Sequence, residues 1–182
     1  MSRLFGPIVQ LGYVLPDVEK MMADYLAAGI GPFFLMAPRP LVSYYGEQRN
    51  DVVISGAFSF CGDQQIELLC QDNDAPSVYR DFLRQSPGGG LHHVAMWADD
   101  VWAKLEDVNT PDRRFEVVQQ NVLGPDPERR NEIYLAPVGS ADSPSLTIQI
   151  MEPTEETLNF FAFMKEAAEG WDGSEPIREM PG

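Results

Sequence analysis

The sequence is poor in the residues on which several classes of protein depend. Among its 182 residues there are only two cysteines, two histidines and three lysines. Cys61 and Cys70 both lie in strand-like segments, and we interpret them as buried, reduced thiols rather than as a disulfide or a pair of metal ligands. Acidic residues outnumber basic ones by 28 to 13, for a formal net charge of −15. Because that charge repels polyanions and anionic membranes, we expect neither nucleic acid nor a membrane as a partner.

Long apolar runs are missing as well. The longest uncharged apolar stretches have the length of a strand, which predicts that no transmembrane helix is present. Gly6 and Pro7 interrupt the N-terminal segment before the apolar core of a secretory signal could form, so we expect a cytoplasmic protein. With a hydrophobic share of 44% and an aromatic share of 10%, the chain has the composition of a folded domain.

What the chain does contain is an internal repeat. Gln10 and His93 occupy equivalent places in two segments that lie 83 positions apart. In both segments an aspartate, Asp17 or Asp100, follows seven residues later. In each segment an apolar strand leads into a helix, and we expect Asp17 to cap the first helix and Asp99 or Asp100 to cap the second. Repetition on this scale indicates one structural unit used twice.

Hydrophobic periodicity predicts the same order of elements in both units, namely a strand, a helix and three further strands. Ser77 is expected to cap a short helix between the units. Residues 154–169 have the broad apolar surface of a helix that packs both on the sheet and on a second subunit. The predicted strands are 8–15, 31–36, 52–60 and 65–70 in the first unit, and 91–98, 115–123, 132–136 and 146–151 in the second.

These elements predict an α+β fold. Two tandem βαβββ modules form a curved mixed sheet around a central cavity, and a C-terminal helix is added to them. We place the first module at residues 1–70 and a connector with a short helix at 71–90. The second module follows at 91–153, and the C-terminal helix with an irregular tail at 154–182. The apolar surface of that helix predicts a homodimer.

Four polar side chains lie on the predicted cavity face of the strands. Because alternate residues of a strand share a face, Gln10 and His93 on the first strands point away from the helices. Glu67 and Gln149 on the last strands do the same, whereas His92 is expected to face away from His93. Glutamate oxygen, imidazole nitrogen and amide carbonyl oxygen together suit a divalent cation. The alternative is that each of the four is a hydrogen-bonded structural residue.

Aromatic residues surround this predicted site. Phe58, Phe60 and Trp97 are expected to line the cavity, and Tyr44 and Tyr45 are placed in a proline-bounded loop that could close over it. Such a lining fits a largely apolar substrate with a carbonyl or hydroxyl end. The alternative is that these aromatic side chains belong to the hydrophobic core.

The segments that carry the repeat also carry a resemblance. The paired strand-helix starts, the strand at 66–69 (Ile-Glu-Leu-Leu) and the stretch at 90–95 (Gly-Leu-His-His-Val-Ala) resemble the vicinal oxygen chelate superfamily. That superfamily includes glyoxalase I, methylmalonyl-CoA epimerase, extradiol dioxygenases and bleomycin-resistance proteins. The segment 28–33 (Ala-Gly-Ile-Gly-Pro-Phe) is similar to a turn of its glyoxalase-like and epimerase-like members. The resemblance covers about residues 8–152.

The resemblance implies that Gln10, Glu67 and His93 are metal ligands, whereas Gln149 departs from the pattern. At this position glyoxalase I and methylmalonyl-CoA epimerase would have a glutamate that both binds the metal and shuttles the substrate proton. An amide can bind a metal but cannot act as a general base at neutral pH. The set also does not match the two-histidine, one-carboxylate arrangement of extradiol dioxygenases.

The implied function is that of a metal-dependent isomerase or lyase. Such an enzyme transfers a proton next to a metal-bound carbonyl of a largely apolar small molecule. Glu67 is the expected catalytic base, with Glu132 and Tyr134 as alternatives, and Tyr134 is also a candidate substrate-binding residue. The other interpretation is a metal-free protein that sequesters a small molecule, in the manner of bleomycin-resistance proteins.

Overall fold

The computed structural model describes residues 2–140 and 147–180. Residue 146 of the predicted last strand and the final two residues of the predicted tail lie outside this described part. The elements are β1 (Gln10–Val14), α1 (Glu19–Ala27), β2 (Phe33–Tyr45), β3 (Gln48–Cys61), β4 (Gln64–Gln71), α2 (Val78–Gln85), β5 (Gly90–Trp97), α3 (Val101–Val108), β6 (Phe115–Asn121), β7 (Glu132–Pro137), β8 (Thr147–Met151), α4 (Glu155–Glu169) and β9 (Ile177–Glu179).

One curved sheet contains all of these strands. Its order is β3-β4-β1-β5-β8-β7-β6-β2-β9. Each βαβββ unit has the same internal order, β1-β4-β3-β2 in the first and β5-β8-β7-β6 in the second. The antiparallel pair β1 and β5 joins the units, and β2 pairs with both β3 and β6, which closes the sheet on itself. Parallel and antiparallel pairs are mixed, so the predicted α+β fold with a curved mixed sheet is confirmed.

Side-chain alternation gives the sheet two different faces. In β1, Leu11 and Tyr13 pack outward with Met22 of α1, whereas Gln10 and Val14 are buried on the inner face. α3 covers the outer face of the second unit in the same way, where Val101 and Val108 pack with apolar residues of β5, β7 and β8. The inner face is therefore the one that the outer helices leave open for polar side chains.

The two remaining helices fill the ends of the inner face. Tyr79 of α2 packs with Val14 and Leu69 at one end. At the other end Met164 of α4 packs with Phe58 and with the neighbouring aromatic side chains of β2 and β3. α4 therefore packs on the sheet, as the sequence predicts. The contact of α4 with a second subunit stays a prediction.

The predictions for the Asp17 cap, for Cys61 and for the tail are wrong. α1 begins at Glu19 and its N-cap is Val18, which has helical backbone angles and makes no side-chain cap, so Asp17 does not cap the helix. Cys61 is exposed because it ends β3 at a turn, although Cys70 is buried and both thiols are free. The tail is not wholly irregular, since β9 pairs in parallel with β2 next to Phe33.

Tyr44 and Tyr45 lie in a strand rather than in a loop. β2 continues through the proline-bounded segment because β3 pairs with it along nearly its whole length. The register shifts between Met36 and Arg39, beside Pro38, whose missing N–H cannot take part in the ladder. Within the described residues, no helix is both long and apolar enough to cross a membrane.

Candidate functional site

The polar residues of the inner face lie on four adjacent strands, β4, β1, β5 and β8. Gly12 of β1 pairs with Glu67 on one side and with His93 on the other. Gln149 of β8 pairs with the residue two positions after His93. Gln10, His93 and Gln149 are almost fully buried, and His93 Nε2 lies 3.3 Å from Glu67 Oε2. The structure therefore places the four residues that the sequence singled out as metal ligands on adjacent strands, with His93 and Glu67 in contact.

Each of these four side chains keeps one buried polar atom without a hydrogen-bond partner among the described residues. The 3.3 Å contact between His93 and Glu67 lacks hydrogen-bond geometry. Buried polar atoms are nearly always paired, and one water molecule can donate only two hydrogen bonds, whereas a cation can accept lone pairs from all four atoms. The unpaired atoms are Gln10 Oε1, Glu67 Oε2, His93 Nε2 and Gln149 Oε1.

The distance and the ionisation states also fit a divalent ion. With ligand bonds of about 2.0–2.2 Å, neighbouring ligand atoms lie roughly 3 Å apart, close to the separation of His93 Nε2 and Glu67 Oε2. Burial lowers the pKa of His93 to about 3, so the imidazole is neutral at pH 7, as a ligand must be. Burial raises the pKa of Glu67 to about 7, the expected result when a carboxylate is desolvated without a cation beside it.

His92 does not face away from His93, contrary to the prediction. The pairing of β1 with β5 shifts by one residue, so that Gly12 lies opposite His93 and Tyr13 lies opposite Leu91. His92 is the extra residue of this β-bulge, which breaks the simple alternation of faces. Its side chain is buried, and its Nδ1 lies 3.1 Å from Nδ1 of His93.

Further buried polar groups continue the cluster toward α2. The hydroxyls of Tyr79 and Tyr134 are 2.9 Å apart, and Asn121 donates to Tyr79 at 3.4 Å and to Glu132 Oε1 at 2.5 Å. Burial, and to a smaller extent the charge of Glu67, raises the pKa of Glu132 to about 7. Glu132 and Tyr134, whose facing the sequence left open, thus both point to the inner face.

The comparison with known families decides where this fold belongs. The sequence profile of the Glyoxalase/Bleomycin resistance protein/Dioxygenase superfamily matches residues 9–129. The chain belongs to this superfamily. The resemblance to vicinal oxygen chelate proteins that the repeat predicted is therefore confirmed.

This chain is distantly similar to a dioxygenase and to methylmalonyl-CoA epimerases. The 4-hydroxyphenylpyruvate dioxygenase of Pseudomonas aeruginosa is 31% identical over 104 residues, which are 52% of this chain and 29% of the dioxygenase. The chain thus spans less than a third of that relative. A selenomethionine methylmalonyl-CoA epimerase structure matches with a TM-score of 0.51 at 17% identity, over 85% of this chain and all of the epimerase. The Mycobacterium tuberculosis methylmalonyl-CoA epimerase gives 0.51 at 16% identity, over 87% and 95%. These two structures show the shared fold alone.

Two of the four side chains with an unpartnered buried atom are amides. Within residues 2–140 and 147–180, no three His, Cys, Asp or Glu side chains come together as a metal-binding group. His92 contacts His93 through Nδ1 and does not supply a second imidazole to Glu67. A cation at this site would therefore depend on the carbonyl oxygens of Gln10 and Gln149.

Some of the predicted aromatic residues lie at the polar cluster and others lie elsewhere. Phe58 pairs with Glu67 on the inner face, but Phe60 and Trp97 contact Phe161 of α4, with ring centroids 5.4 and 5.0 Å apart. Tyr134 lies in the polar cluster. The structure does not bring the two β2 tyrosines to this cluster. Tyr44 stacks with the guanidinium of Arg130, which lies 3.8 Å from the ring centroid, and the hydroxyl of Tyr45 hydrogen-bonds Asp81 of α2.

A groove of about 720 Å³ lies beside the start of α4. Gly124 and Pro125 form part of its lining, and Glu155, Glu156 and Phe160 contribute from α4. Phe160 also packs against the aromatic cluster that contains Phe58 and Phe60. The groove is therefore adjacent to the aromatic end of the inner face.

Proposed function

We propose that this chain binds one divalent cation and catalyses an isomerase- or lyase-type proton transfer next to a carbonyl group. The observation that carries the proposal is the set of four unpartnered buried donor atoms on Gln10, Glu67, His93 and Gln149. Buried lone pairs cost free energy unless something binds them. A cation with these ligands would supply Lewis-acid polarisation of a carbonyl oxygen and would stabilise the charge that develops when the neighbouring proton leaves.

Glu132 is the better candidate for the proton acceptor. Glu67, the base expected from the sequence, contributes one of the four donor atoms and would have to leave the cation to accept a proton. Glu132 is buried on the neighbouring strand β7, and one of its oxygens is held by Asn121. It belongs to the same inner face but not to the donor set. In this proposal Glu132 supplies the carboxylate that position 149 lacks.

The substrate that fits this site is a small, largely apolar carbonyl compound. The aromatic end of the inner face and the groove beside α4 offer apolar surface through Phe160. Glu155 and Glu156 line the same groove, and the chain carries a net charge of −15. Because these charges repel a polyanion, we favour an uncharged or cationic substrate over the coenzyme A thioester named in the epimerase relatives.

Oxygenase chemistry of the two-histidine, one-carboxylate kind is the weaker proposal, although one relative is a dioxygenase. That chemistry uses two imidazoles and one carboxylate on one face of the iron. Here His93 and Glu67 meet at 3.3 Å, while the ring of His92 is turned toward His93. The donor set therefore favours Lewis-acid proton transfer.

A metal-free binding protein is the second candidate function. It is favoured by the amide at position 149, which binds no proton at neutral pH, and by the apolar groove beside α4. In that case the apolar ligand would bind without any cation, and the four donor atoms would be satisfied by ordered water.

Cation stoichiometry separates the two functions. The protein is dialysed against Zn²⁺, then against buffer, and its bound metal is measured by elemental analysis. We expect one ion per chain in the wild type and little or no retained ion in Glu67→Gln, since the only charged ligand is removed. Glu132→Gln is the matched control, because it neutralises another buried inner-face glutamate and should retain the ion. A folded wild-type protein without any bound ion would exclude the proposed enzyme.

Proton transfer itself is measured by hydrogen exchange. A panel of apolar α-hydroxy ketones and aryl ketones is incubated with the cation-loaded protein in D₂O, and loss of the α-proton signal is followed by NMR. We expect exchange with the wild type and a loss of about 100-fold or more in Glu132→Gln, in the range typical of a removed general base. Equal exchange in both proteins would contradict the assignment of Glu132.

A further inference from the structure

Three of the four proposed ligands each hydrogen-bond a buried side chain behind them. Gln10 Nε2 donates to Gln65 Oε1 at 2.7 Å, and Gln149 Nε2 donates to the hydroxyl of Tyr134 at 2.8 Å. His93 Nδ1 lies 3.1 Å from Nδ1 of His92, as the bulge in β5 brings the two rings together. Gln65, His92 and Tyr134 are all buried. We call these three residues the outer layer.

The outer layer decides which amide atom reaches the centre of the site. A glutamine amide has an oxygen with lone pairs on one side and an NH₂ group without any on the other. If either amide were reversed, its NH₂ group would point at the centre and could not bind a cation. Because Gln65 and Tyr134 accept the N–H groups of Gln10 and Gln149, the free oxygens are the atoms that remain on the inner side.

A cation on Nε2 would also require one tautomer of His93. Two Nδ1 atoms at hydrogen-bond distance require one ring to donate and the other to accept. Nε2 of His93 is the atom near Glu67 and has no hydrogen-bond partner. It can offer a lone pair only if the proton of the ring is on Nδ1. His92 must then accept that proton through its own Nδ1.

We propose that Gln65, His92 and Tyr134 are positioning residues, a layer of hydrogen-bond acceptors that turns the donor atoms of Gln10, His93 and Gln149 toward the cation. This inference rests on the proposed function. Outer partners of this kind orient ligands and typically account for a 10- to 100-fold change in metal affinity. The layer reaches α2, because the hydroxyl of Tyr79 bonds that of Tyr134.

The first test is a calorimetric titration with Zn²⁺ alone. Tyr134→Phe removes the acceptor and keeps the ring, and we expect its affinity for Zn²⁺ to fall 10- to 100-fold. Tyr25→Phe is the matched control, since it breaks another tyrosine pair, the 2.8 Å bond between Tyr25 and Tyr13 at the outer face. It should bind Zn²⁺ as the wild type does. Equal affinities in the two variants, with the wild type binding Zn²⁺, would overturn the inference and leave the proposed function intact.

Rescue variants separate positioning from packing. Gln65→Met and His92→Phe remove the acceptors and should each lose affinity about 10-fold or more, whereas Gln65→Glu and His92→Asn keep an acceptor oxygen and should recover most of it. Urea unfolding of each metal-free variant confirms that it is folded before titration. A rescue variant that binds as weakly as its partner would contradict the role of the acceptor.

The second test reads the tautomer directly and does not depend on Zn²⁺ affinity. Because the chain has only two histidines, ¹⁵N-histidine labelling gives two rings, which His92→Asn assigns. We expect His93 in the Nδ1–H form and His92 in the Nε2–H form, both in metal-free protein and after addition of Zn²⁺. His93 in the Nε2–H form would overturn the inference. A wild type that binds no Zn²⁺ but shows the expected tautomers would instead count against the proposed function.

Discussion

In each module, the proposed ligand on the first strand lies opposite a residue of the other module's first strand. These two opposing residues are not the same. In the second module His93 lies opposite Gly12 of the first, whereas in the first module Gln10 lies opposite Ala95 of the second. Gly12 and Ala95 occupy equivalent positions of the repeat. A Cβ atom added to Gly12 would lie only 2.0 Å from Cε1 of His93. An imidazole ring in this position therefore requires glycine beneath it, while an amide tolerates alanine.

The two modules share a common arrangement but differ in the residues that fill it. Both modules keep a strand, an inner-face ligand and a small residue two positions later. They differ in the proposed ligands, since the first module provides an amide and a carboxylate, Gln10 and Glu67, and the second provides an imidazole and an amide, His93 and Gln149. The sheet order is the same in both modules, so this difference in donor atoms lies in the side chains that equivalent strands carry.

The largest effect is expected when Gly12 is replaced by alanine, the residue at the equivalent position 95. Gly12→Ala forces the buried His93 ring to move, and overpacking of this kind costs about 3 kcal/mol of unfolding free energy. Because Nε2 moves with the ring, Zn²⁺ affinity should also fall by more than about 100-fold. Urea unfolding of the metal-free protein and a Zn²⁺ titration measure the two effects.

Ala95→Gly is the control for that variant. Glycine in a strand costs roughly 0.5–1 kcal/mol relative to alanine, and the pair with Gln10 keeps its register, so Zn²⁺ affinity should stay within about twofold of the wild type. If Gly12→Ala and Ala95→Gly lowered the unfolding free energy and the Zn²⁺ affinity equally, the close approach of His93 to β1 would not explain the effect of Gly12→Ala.

The next largest effect is expected when the carboxylate of the first module, Glu67, is replaced by an amide like the one in the second module. Burial raises the pKa of Glu67 from 4.5 to about 7, so the folded protein retains a proton that the unfolded chain releases. The contribution of Glu67 to stability is therefore full below about pH 4.5 and is lost as the pH rises to about 7. Glutamine does not titrate, so Glu67→Gln should gain between about 1 and 3 kcal/mol relative to the wild type across this window.

Urea unfolding with a chelator present, at pH 5 and at pH 8, measures that gain. Gln149→Ala provides the control, because it removes a neighbouring inner-face ligand that does not titrate, and its stability difference from the wild type should change far less with pH. If the difference between Glu67→Gln and the wild type were the same at both pH values, the raised pKa of Glu67 would be wrong.

Sequence periodicity could predict the inner-face residues that occupy equivalent positions in the two repeats. Gln10, His93, Glu67 and Gln149 follow from strand alternation and from an offset that is nearly the same for both pairs, and the structure places them on adjacent strands with His93 3.3 Å from Glu67. Residues that need three-dimensional pairing could not be predicted. The bulge at His92 depends on how β5 pairs with a strand about 80 positions earlier, and local alternation carries no sign of it.

The sequence could not predict the outer layer, for a related reason. Gln65 shares the face of Glu67 by alternation, but its bond to Gln10 depends on the parallel register of β1 with β4. Tyr79 lies in the connector helix, where nothing in the sequence indicates that its hydroxyl reaches Tyr134. The loop predicted around Tyr44 is instead part of β2, because the long partner strand β3 pairs with β2 on both sides of Pro38.

The smallest expected effect concerns the aspartates that follow the first strand of each module. Asp100 accepts hydrogen bonds from the backbone N–H groups of Trp102 and Ala103, both at 2.9 Å, whereas Asp17 makes no cap on α1. Loss of an N-cap costs about 1 kcal/mol, so Asp100→Ala should lower the unfolding free energy by that amount. Asp17→Ala should change it by less than about 0.5 kcal/mol, because an aspartate outside the N-cap position leaves the helix N–H groups as they are. Urea unfolding of both variants at one pH compares them, and equal losses would mean that the two helix starts are equivalent after all.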